Sequence, residues 1–224
     1  MKKVLFLMMS VLALTSCKFE LGNMSSNLID PSDNVVTKEY KLNPFEEVHM
    51  RCVGDVELIQ SDTKNGVVEL TAPENYIELY KFENNGNELE IDFAKNNINI
   101  HTKNVKIKVY TTDLIKVKNS GASSIHMDKL DTDEMEIINS GVGSIKISGV
   151  ADNVELQNSG VGSINAEDLK ALNVKANVSG VGSITCYASE KIEGRVSGVG
   201  SLKYAGNPKQ KNNKRTGVGS ISEM

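Results

Sequence analysis

The chain has no tryptophan, few other aromatic residues and no apolar run long enough to cross a bilayer. Phe, Trp and Tyr together make up 5% of its 224 residues, and a membrane-spanning helix needs about 20 consecutive apolar residues. The formal net charge of −4 argues against nucleic acid as a partner, because phosphate contacts require a basic surface. We therefore expect neither a spanning helix nor binding to nucleic acid.

Motifs of familiar catalytic and metal centres are also missing. The three histidines, His49, His101 and His126, have neither HxH nor HExxH spacing. The many serines include no G-x-S-x-G elbow. No column of the repeats described below stacks the carboxylates that a polysaccharide-cleaving β-helix needs. We expect no enzyme activity, no catalytic residue, no metal site and no cofactor.

The N-terminus has the features of a bacterial lipoprotein signal. Lys2 and Lys3 precede an apolar run, Val4–Leu14, which is too short for a stable span. The run ends in Leu-Thr-Ser-Cys, which resembles a lipobox with Cys17 as the lipidated residue. This pattern predicts removal of residues 1–16 and lipid attachment to the outer membrane, on either its periplasmic or its outer face. An ordinary signal peptide with an incidental cysteine is the alternative.

Composition divides the remaining chain into a polar lipidated tether, a β-rich region and a repeat region, at residues 17–34, 35–113 and 114–224. Short alternating apolar runs predict strands in the β-rich region, at Val48–Met50, Val56–Ile59, Val67–Leu70, Leu89–Phe93 and Val105–Val109. Asn65-Gly66 and Asn85-Gly86 predict turns between them. Pro73–Phe82 is the only good helix candidate, because its apolar residues suit a short amphipathic helix.

A six-residue block recurs six times in the repeat region. It reads SGASSI at 120, SGVGSI at 140, 159 and 179, SGVGSL at 197 and TGVGSI at 216, so the intervals are 18 to 20 residues. A fixed period of this length marks a solenoid with one coil per repeat. Equivalent strands stacked in the same direction form parallel sheets, and six copies give a stack about 24 Å long at ~4.8 Å per coil.

Apolar residues at fixed positions predict the buried columns of each coil, which we expect to contain about three short strands. Before each block, apolar residues alternate with charged ones such as Lys116 and Glu136, which is typical of a strand with one buried face. Inside and after the block, four columns are predicted to face inward: Ile125-Ile145-Ile164-Ile184-Leu202-Ile221, Met127-Ile147-Ala166-Cys186-Tyr204, Leu130-Val150-Leu169 and Val142-Val161-Val181-Val199-Val218. Val161 is accordingly expected to be buried between Val142 and Val181.

Three asparagines precede consecutive blocks, at Asn119, Asn139 and Asn158. Stacked inward-facing Asn side chains can hydrogen-bond along the solenoid axis and to carbonyl groups of the turn. Val178 and Val196 occupy the equivalent positions in the next two coils. The sequence therefore predicts an asparagine ladder that ends halfway along the stack.

The final coil and the two cysteines beyond the lipobox allow two interpretations each. Residues 207–215 are polar and rich in lysine, and we interpret them as a cap that prevents end-to-end stacking. An anion-binding patch is the alternative. Cys52 and Cys186 either form a disulfide in the oxidising envelope or are two separate buried apolar side chains.

The repeated S-G-V-G-S-I block, its spacing, the lipobox and the earlier Val53-Gly54-Asp55-Val56 together resemble one family. These are envelope proteins called putative adhesins with a head GIN domain, a domain of unknown function, and the similarity covers roughly residues 40 to 221. The resemblance implies an all-β fold with a right-handed parallel β-helix. The family often has Asp at the fifth position of the block; Asp55 keeps it here, whereas the six later copies have Ser, so a carboxylate ladder is not expected.

The function expected from these features is that of a non-enzymatic envelope lipoprotein, a binding or adhesin-like module. Its partner would be a glycan or another component of the envelope or of a host surface. Sugar binding commonly uses aromatic rings, so Tyr76, Tyr80 and Phe82 are the candidate ligand-binding residues, with core packing as their alternative role. A polysaccharide-acting enzyme on a β-helix, and a structural or lipid-binding accessory protein, are the alternative functions.

Overall fold

The computed structural model describes residues 28–224. The predicted signal peptide, Cys17 and most of the predicted tether lie outside these residues. Within the described range, no helix combines the length and the apolar character needed to cross a membrane. One 3₁₀ helix (Glu74–Leu79) accompanies the strands β1 (Leu28–Ile29), β2 (Val35–Lys41), β3 (Glu47–Met50), β4 (Val53–Gln60), β5 (Val67–Pro73), β6 (Tyr80–Asn85), β7 (Glu88–Phe93), β8 (Asn99–Ile100), β9 (Lys106–Thr111), β10 (Lys116–Asn119), β11 (Ala122–Asn139), β12 (Val142–Asn158), β13 (Val161–Val178), β14 (Val181–Val196), β15 (Val199–Ala205), β16 (Gln210–Arg215) and β17 (Val218–Glu223).

The repeats form a parallel β-solenoid of about 5 turns spaced about 20 residues apart. The register pairs equivalent positions of successive repeats, so that Ile145 lies opposite Ile164 and Ile164 opposite Ile184. The predicted all-β parallel β-helix is confirmed. Where short separate strands were expected, each complete coil from β11 to β14 is instead one bent strand of 16 to 18 residues. The bends coincide with register shifts, such as the one between Lys146 and Gly149.

The parallel stack begins before the repeated block. β3 pairs with β10, and β4 pairs with β11 so that Asp55 lies opposite Ser124. β7 continues the stack beyond β3, and β9 continues it beyond β4. The strands predicted in the β-rich region are observed as β3, β4, β5, β7 and β9, and they share a sheet with the repeats.

Antiparallel strands close the N-terminal end of the stack. β5 pairs with both β9 and β2, and β6 pairs with β7 across the predicted turn at Asn85-Gly86, where Gly86 adopts a φ of +71°. The predicted helix is shorter than expected, because Tyr80 already pairs with Phe93 in the β6–β7 hairpin. β1 pairs with β8, so the chain is already part of the fold at Leu28.

Charged side chains lie on β16, an edge strand at the C-terminal end of the stack. β16 pairs with β14 and places Lys211 opposite Ile192 and Arg215 opposite Val196. The Lys211 ammonium lies 2.7 Å from a carboxylate oxygen of Glu223. Lysine and arginine on an edge strand discourage pairing with another chain, which is the arrangement that a cap requires.

Two of the predicted inward columns are buried as expected. The column from Ile125 to Leu202 and the column from Met127 to Tyr204 are each at most 5% exposed. Only Ile221, in the last coil, is partly buried. These columns form the continuous hydrophobic core of the solenoid.

The valine column inside the block faces solvent, contrary to the prediction. Val161 is 52% exposed, and its neighbours Val142 and Val181 are exposed to a similar extent. Successive side chains of a strand point to opposite faces, so with Ile145 inward, the inward positions are Gly143 and Ile145 and the valine points out. A side chain at Gly143 would collide with the carbonyl oxygen of Ser123 in the previous coil, which explains the glycine.

Val150 also departs from its predicted column. It is 49% exposed, because the strand shifts register at the bend and Gly149 takes the position between Leu130 and Leu169. A Cβ at Gly149 would meet the backbone of Leu130. Because coils of unequal length pair at this bend, the β12 coil needs a residue without a side chain there, and Gly149 fills that position.

The predicted asparagine ladder is present and buried. Nδ2 of Asn119 donates to Oδ1 of Asn139 over 3.0 Å, and Nδ2 of Asn139 donates to Oδ1 of Asn158 over 3.2 Å. Nδ2 of Asn158 ends the ladder on the carbonyl oxygen of Gly162, 2.9 Å away. Val178 and Val196 continue the column as buried apolar side chains.

Candidate functional site

The face formed by β3, β10 and the final segments of β11 to β14 carries a groove along the solenoid axis, which we call the axial groove. Alternate residues of these strands point outward, so the register builds two polar walls. The first wall consists of Glu134, Asn153, Asn173 and Lys191. The second wall consists of Glu47, Lys116, Glu136, Glu155, Lys175 and Glu193. The groove between them has a volume of about 530 Å³ and crosses successive coils.

Most charges along the second wall are paired within the groove. Lys116 lies 2.9 Å from Glu136, and Lys175 lies 2.8 Å from Glu155. The hydrogen bond that the Lys116 ammonium donates to Glu136 raises the pKa of Lys116. Exposed pairs of this kind contribute at most about 1 kcal/mol each to folding. Their main consequence is a groove lined by hydrogen-bonding groups with little unpaired charge.

The amides of the first wall form a second, exposed asparagine pair. Nδ2 of Asn173 donates to Oδ1 of Asn153 over 3.0 Å. An Asn side chain has two donor hydrogens and an acceptor oxygen with two lone pairs. This single bond therefore leaves donor and acceptor capacity on both side chains for a bound molecule.

The aromatic residues predicted to bind ligand lie in or against the N-terminal core. Tyr76 is fully buried and Tyr80 is 5% exposed. The Tyr76 hydroxyl donates to the carbonyl oxygen of Ile29, and the Tyr80 hydroxyl donates to that of Val53 over 2.8 Å. Burial raises the pKa of Tyr80. These rings have no open face for a sugar, so the structure favours the alternative role of core packing.

Phe82 contributes to the same packing. It is partly buried against the core, and its ring centroid lies 4.6 Å from that of Tyr40. This separation lies within the range of about 4.5–7 Å that is usual for interacting aromatic rings. The three predicted residues pack in or against the same core and do not form a solvent-facing platform.

The two cysteines of the described chain are free and buried. Burial raises the pKa of the Cys52 thiol to about 12 and that of the Cys186 thiol to about 12. Cys186 occupies the second inward column between Ala166 and Tyr204. Of the two interpretations of these residues, the structure favours separate apolar side chains over a disulfide.

One cluster near the N-terminal end of the axial groove has no counterpart in the sequence patterns. His49 on β3 lies beside Glu88 and Glu90 on β7. One imidazole nitrogen and one carboxylate oxygen from each glutamate lie within 4.8 Å of one another. The His49 side chain is 9% exposed, and burial together with the Lys118 charge lowers its pKa. The residues are separated by about 40 positions in the chain, so motif spacing could not find them.

Residues 44–208 match the protein family described as "Putative auto-transporter adhesin, head GIN domain". A solved putative adhesin from Bacteroides fragilis is 30% identical, with a TM-score of 0.75 over 88% of this chain and 100% of that one. A putative lipid binding protein from Parabacteroides distasonis (22% identity, TM-score 0.52) and a putative adhesin from Parabacteroides merdae (18%, 0.56) each cover 88% of this chain and 99% of their own. At these lower identities the likeness supports the fold alone. No curated protein matches the chain.

Proposed function

This chain belongs to the family described as "Putative auto-transporter adhesin, head GIN domain", and from that premise we propose that it is a non-enzymatic binding module of the bacterial cell envelope. The axial groove is the surface that would hold the ligand. The ligand would be an extended, uncharged and hydroxyl-rich polymer, such as a glycan of the envelope or of a host surface.

The observation that carries this proposal is the repetition of polar groups along the axial groove. Successive coils place equivalent side chains about 4.8 Å apart, so a ligand made of repeating units meets similar groups at each step. The free amide positions of Asn153 and Asn173 suit hydroxyl groups, which both donate and accept hydrogen bonds. A highly charged polymer fits less well, because it would have to displace ion pairs such as Lys175–Glu155.

Lipid attachment through Cys17 is the other part of the proposal. The lipobox at residues 14–17 would tether the solenoid to the outer membrane by a lipid chain. Ten residues, 18–27, separate Cys17 from Leu28, where the described fold begins. At about 3.3–3.6 Å per extended residue, Leu28 would stay within roughly 40 Å of the membrane surface.

A glycan array probed with the purified full chain tests the proposed ligand. The double variant Asn153→Ala/Asn173→Ala should weaken binding about tenfold or more, since each hydrogen bond contributes about 0.5–1.5 kcal/mol. Asn165→Ala is the matched control, because Asn165 lies on β13 outside the groove and its Oδ1 accepts only from the nearby Glu167 N–H in this structure. Equal binding by both variants and the parent chain would contradict the assignment of the groove.

The same assay distinguishes the enzyme alternative. Bound glycan should be recovered unchanged after prolonged incubation with the chain. Shortened products whose formation is abolished by Glu136→Gln would replace the binding proposal with a polysaccharide-acting enzyme, because that side chain is a carboxylate inside the groove.

A further inference from the structure

His49 on β3 meets Glu88 and Glu90 on β7, on the outer face of these two paired strands. β3 and β7 run parallel, with Glu47 opposite Glu88 and His49 opposite Glu90. Side chains two residues apart on a strand share a face, so Glu88 and Glu90 both point to the side from which His49 projects. The convergence therefore follows from strand register and does not depend on a loop.

The hydroxyl groups of Ser120 and Ser140 can accommodate a proton on Nε2 of His49. When the Ser140 hydroxyl donates to the carbonyl oxygen of Asn119, 3.1 Å away, its oxygen can accept from the Ser120 hydroxyl over 3.1 Å. The Ser120 oxygen is then the acceptor for Nε2 of His49, at 2.9 Å. In this arrangement the neutral imidazole is protonated on Nε2, and Nδ1 has a free lone pair.

That lone pair faces carboxylate oxygens. Nδ1 of His49 lies 3.8 Å from Oε1 of Glu88, and with the proton on Nε2 neither atom can donate a hydrogen bond to the other. Two acceptors facing each other are stabilised by a cation between them. The serine also acts as the hydrogen-bond partner that metal-binding histidines usually have on their second nitrogen.

We propose that His49, Glu88 and Glu90 form a binding site for a divalent transition-metal ion of the Zn²⁺ class, at the N-terminal end of the axial groove. One imidazole nitrogen and two carboxylates suit Zn²⁺, whereas Ca²⁺ and Mg²⁺ favour oxygen ligands alone. Three protein ligands leave at least one coordination position open. Glu47, which lies opposite Glu88 in the β3–β7 pairing, belongs to the second wall of the groove.

The geometry requires a small closure of the carboxylates. Ligands about 2.0–2.2 Å from an ion in tetrahedral arrangement are roughly 3.4 Å from one another, whereas the three atoms here lie within 4.8 Å. The side chains of Glu88 and Glu90 are 32% and 21% exposed, so both can rotate inward while the paired backbones stay in place.

Arg51 competes with the ion for Glu90. Its guanidinium contacts Glu90 through Nη1 and Asp92 through Nε, both at 3.3 Å. When an ion binds, Arg51 can keep Asp92 and release Glu90. Removal of the guanidinium should therefore increase metal affinity, an effect that a site unrelated to Glu90 would not show.

Calorimetric titration of the chelator-treated full chain with Zn²⁺ tests the site, with Ca²⁺ and Mg²⁺ as comparison ions. We expect one saturable Zn²⁺ site, at least about 100-fold weaker in His49→Gln and about 10- to 100-fold weaker in Ser120→Ala, the range measured for partners of metal ligands. Arg51→Gln should bind Zn²⁺ more tightly than the parent chain. His126→Gln and Ser159→Ala, which alter a histidine and a serine away from the cluster, should bind like the parent.

Thermal melting of each variant without metal separates loss of a ligand from loss of the fold. Absence of saturable Zn²⁺ binding in the folded parent chain would overturn the proposal. Zn²⁺ binding that survives His49→Gln but is lost in His126→Gln would also overturn it, since the ion would then bind at the exposed His126–Asp128 pair. Neither result would affect the proposed glycan binding, because Asn153 and Asn173 lie outside the cluster.

Discussion

The in–out register of a single coil can be tested with two residues three positions apart, Ile164 and Val161. Ile164 is 1% exposed and lies between Ile145 and Ile184 in the core. Val161 is 52% exposed at the corner of the same coil. Truncation of each residue to alanine removes apolar atoms from the same strand, so the two variants differ mainly in burial.

The expected costs follow from these exposures. Ile164→Ala should destabilise by about 2–5 kcal/mol, the usual range for a buried Ile→Ala change. A value in the upper part is expected, because parallel pairing on both sides holds the backbone and limits collapse of the cavity. Val161→Ala removes two methyl-sized groups that are about half buried, which costs about 0.8 kcal/mol at ~0.8 kcal/mol per buried group.

Thermal unfolding followed by circular dichroism measures the difference. For a domain of this size, 1 kcal/mol corresponds to roughly 2–4 °C in Tm, so Ile164→Ala should lower Tm by about 4–20 °C and Val161→Ala by about 3 °C or less. Equal shifts for the two variants would refute the register. A larger shift for Val161→Ala would restore the interpretation of the block valines as core residues.

Three other properties can be measured independently. Cys17→Ala should abolish incorporation of a fatty-acid analogue in metabolic labelling, because that residue is the proposed lipid acceptor; equal labelling of the parent and the variant would contradict the lipobox. Asn139→Val should cost about 1–3 kcal/mol in urea unfolding, because it leaves the buried Oδ1 of Asn158 without its donor, whereas Asn173→Val, which removes the donor of an exposed bond to Asn153, should cost less. Equal costs would show that the ladder adapts. Cys52 and Cys186 should not react with a thiol reagent at pH 8 until the protein unfolds, since a pKa of about 12 leaves almost no thiolate in the native state; rapid reaction of native protein would show that the thiols are accessible.

The repeat in the sequence determined the solenoid, its parallel register and the course of its asparagine ladder. Each block has the same neighbours, one period before and one period after it, so the pairing of Ile145 with Ile164 and of Asn139 with Asn158 follows from the spacing alone. Alternation of apolar and charged residues before each block likewise identified the outward charged column, which forms the second wall of the axial groove. Local periodicity is sufficient wherever each contact joins equivalent positions of adjacent coils.

Only the tertiary structure decided which side of each bend faces water and what closes the ends of the stack. The sequence shows a valine between two glycines, but not that Gly143 must fit against the backbone of the coil before it and so leave Val142 outside. Tyr76 and Tyr80 are buried because they pack over the first coil. Their hydroxyl groups donate to the carbonyl oxygens of Ile29 and Val53, which are distant in the chain. His49 meets Glu88, Glu90 and Ser120 because β7, β3 and β10 stack in that order. The His49 contacts join residues about 40 to 70 positions apart that are not equivalent positions of the repeat, so no local pattern encodes them.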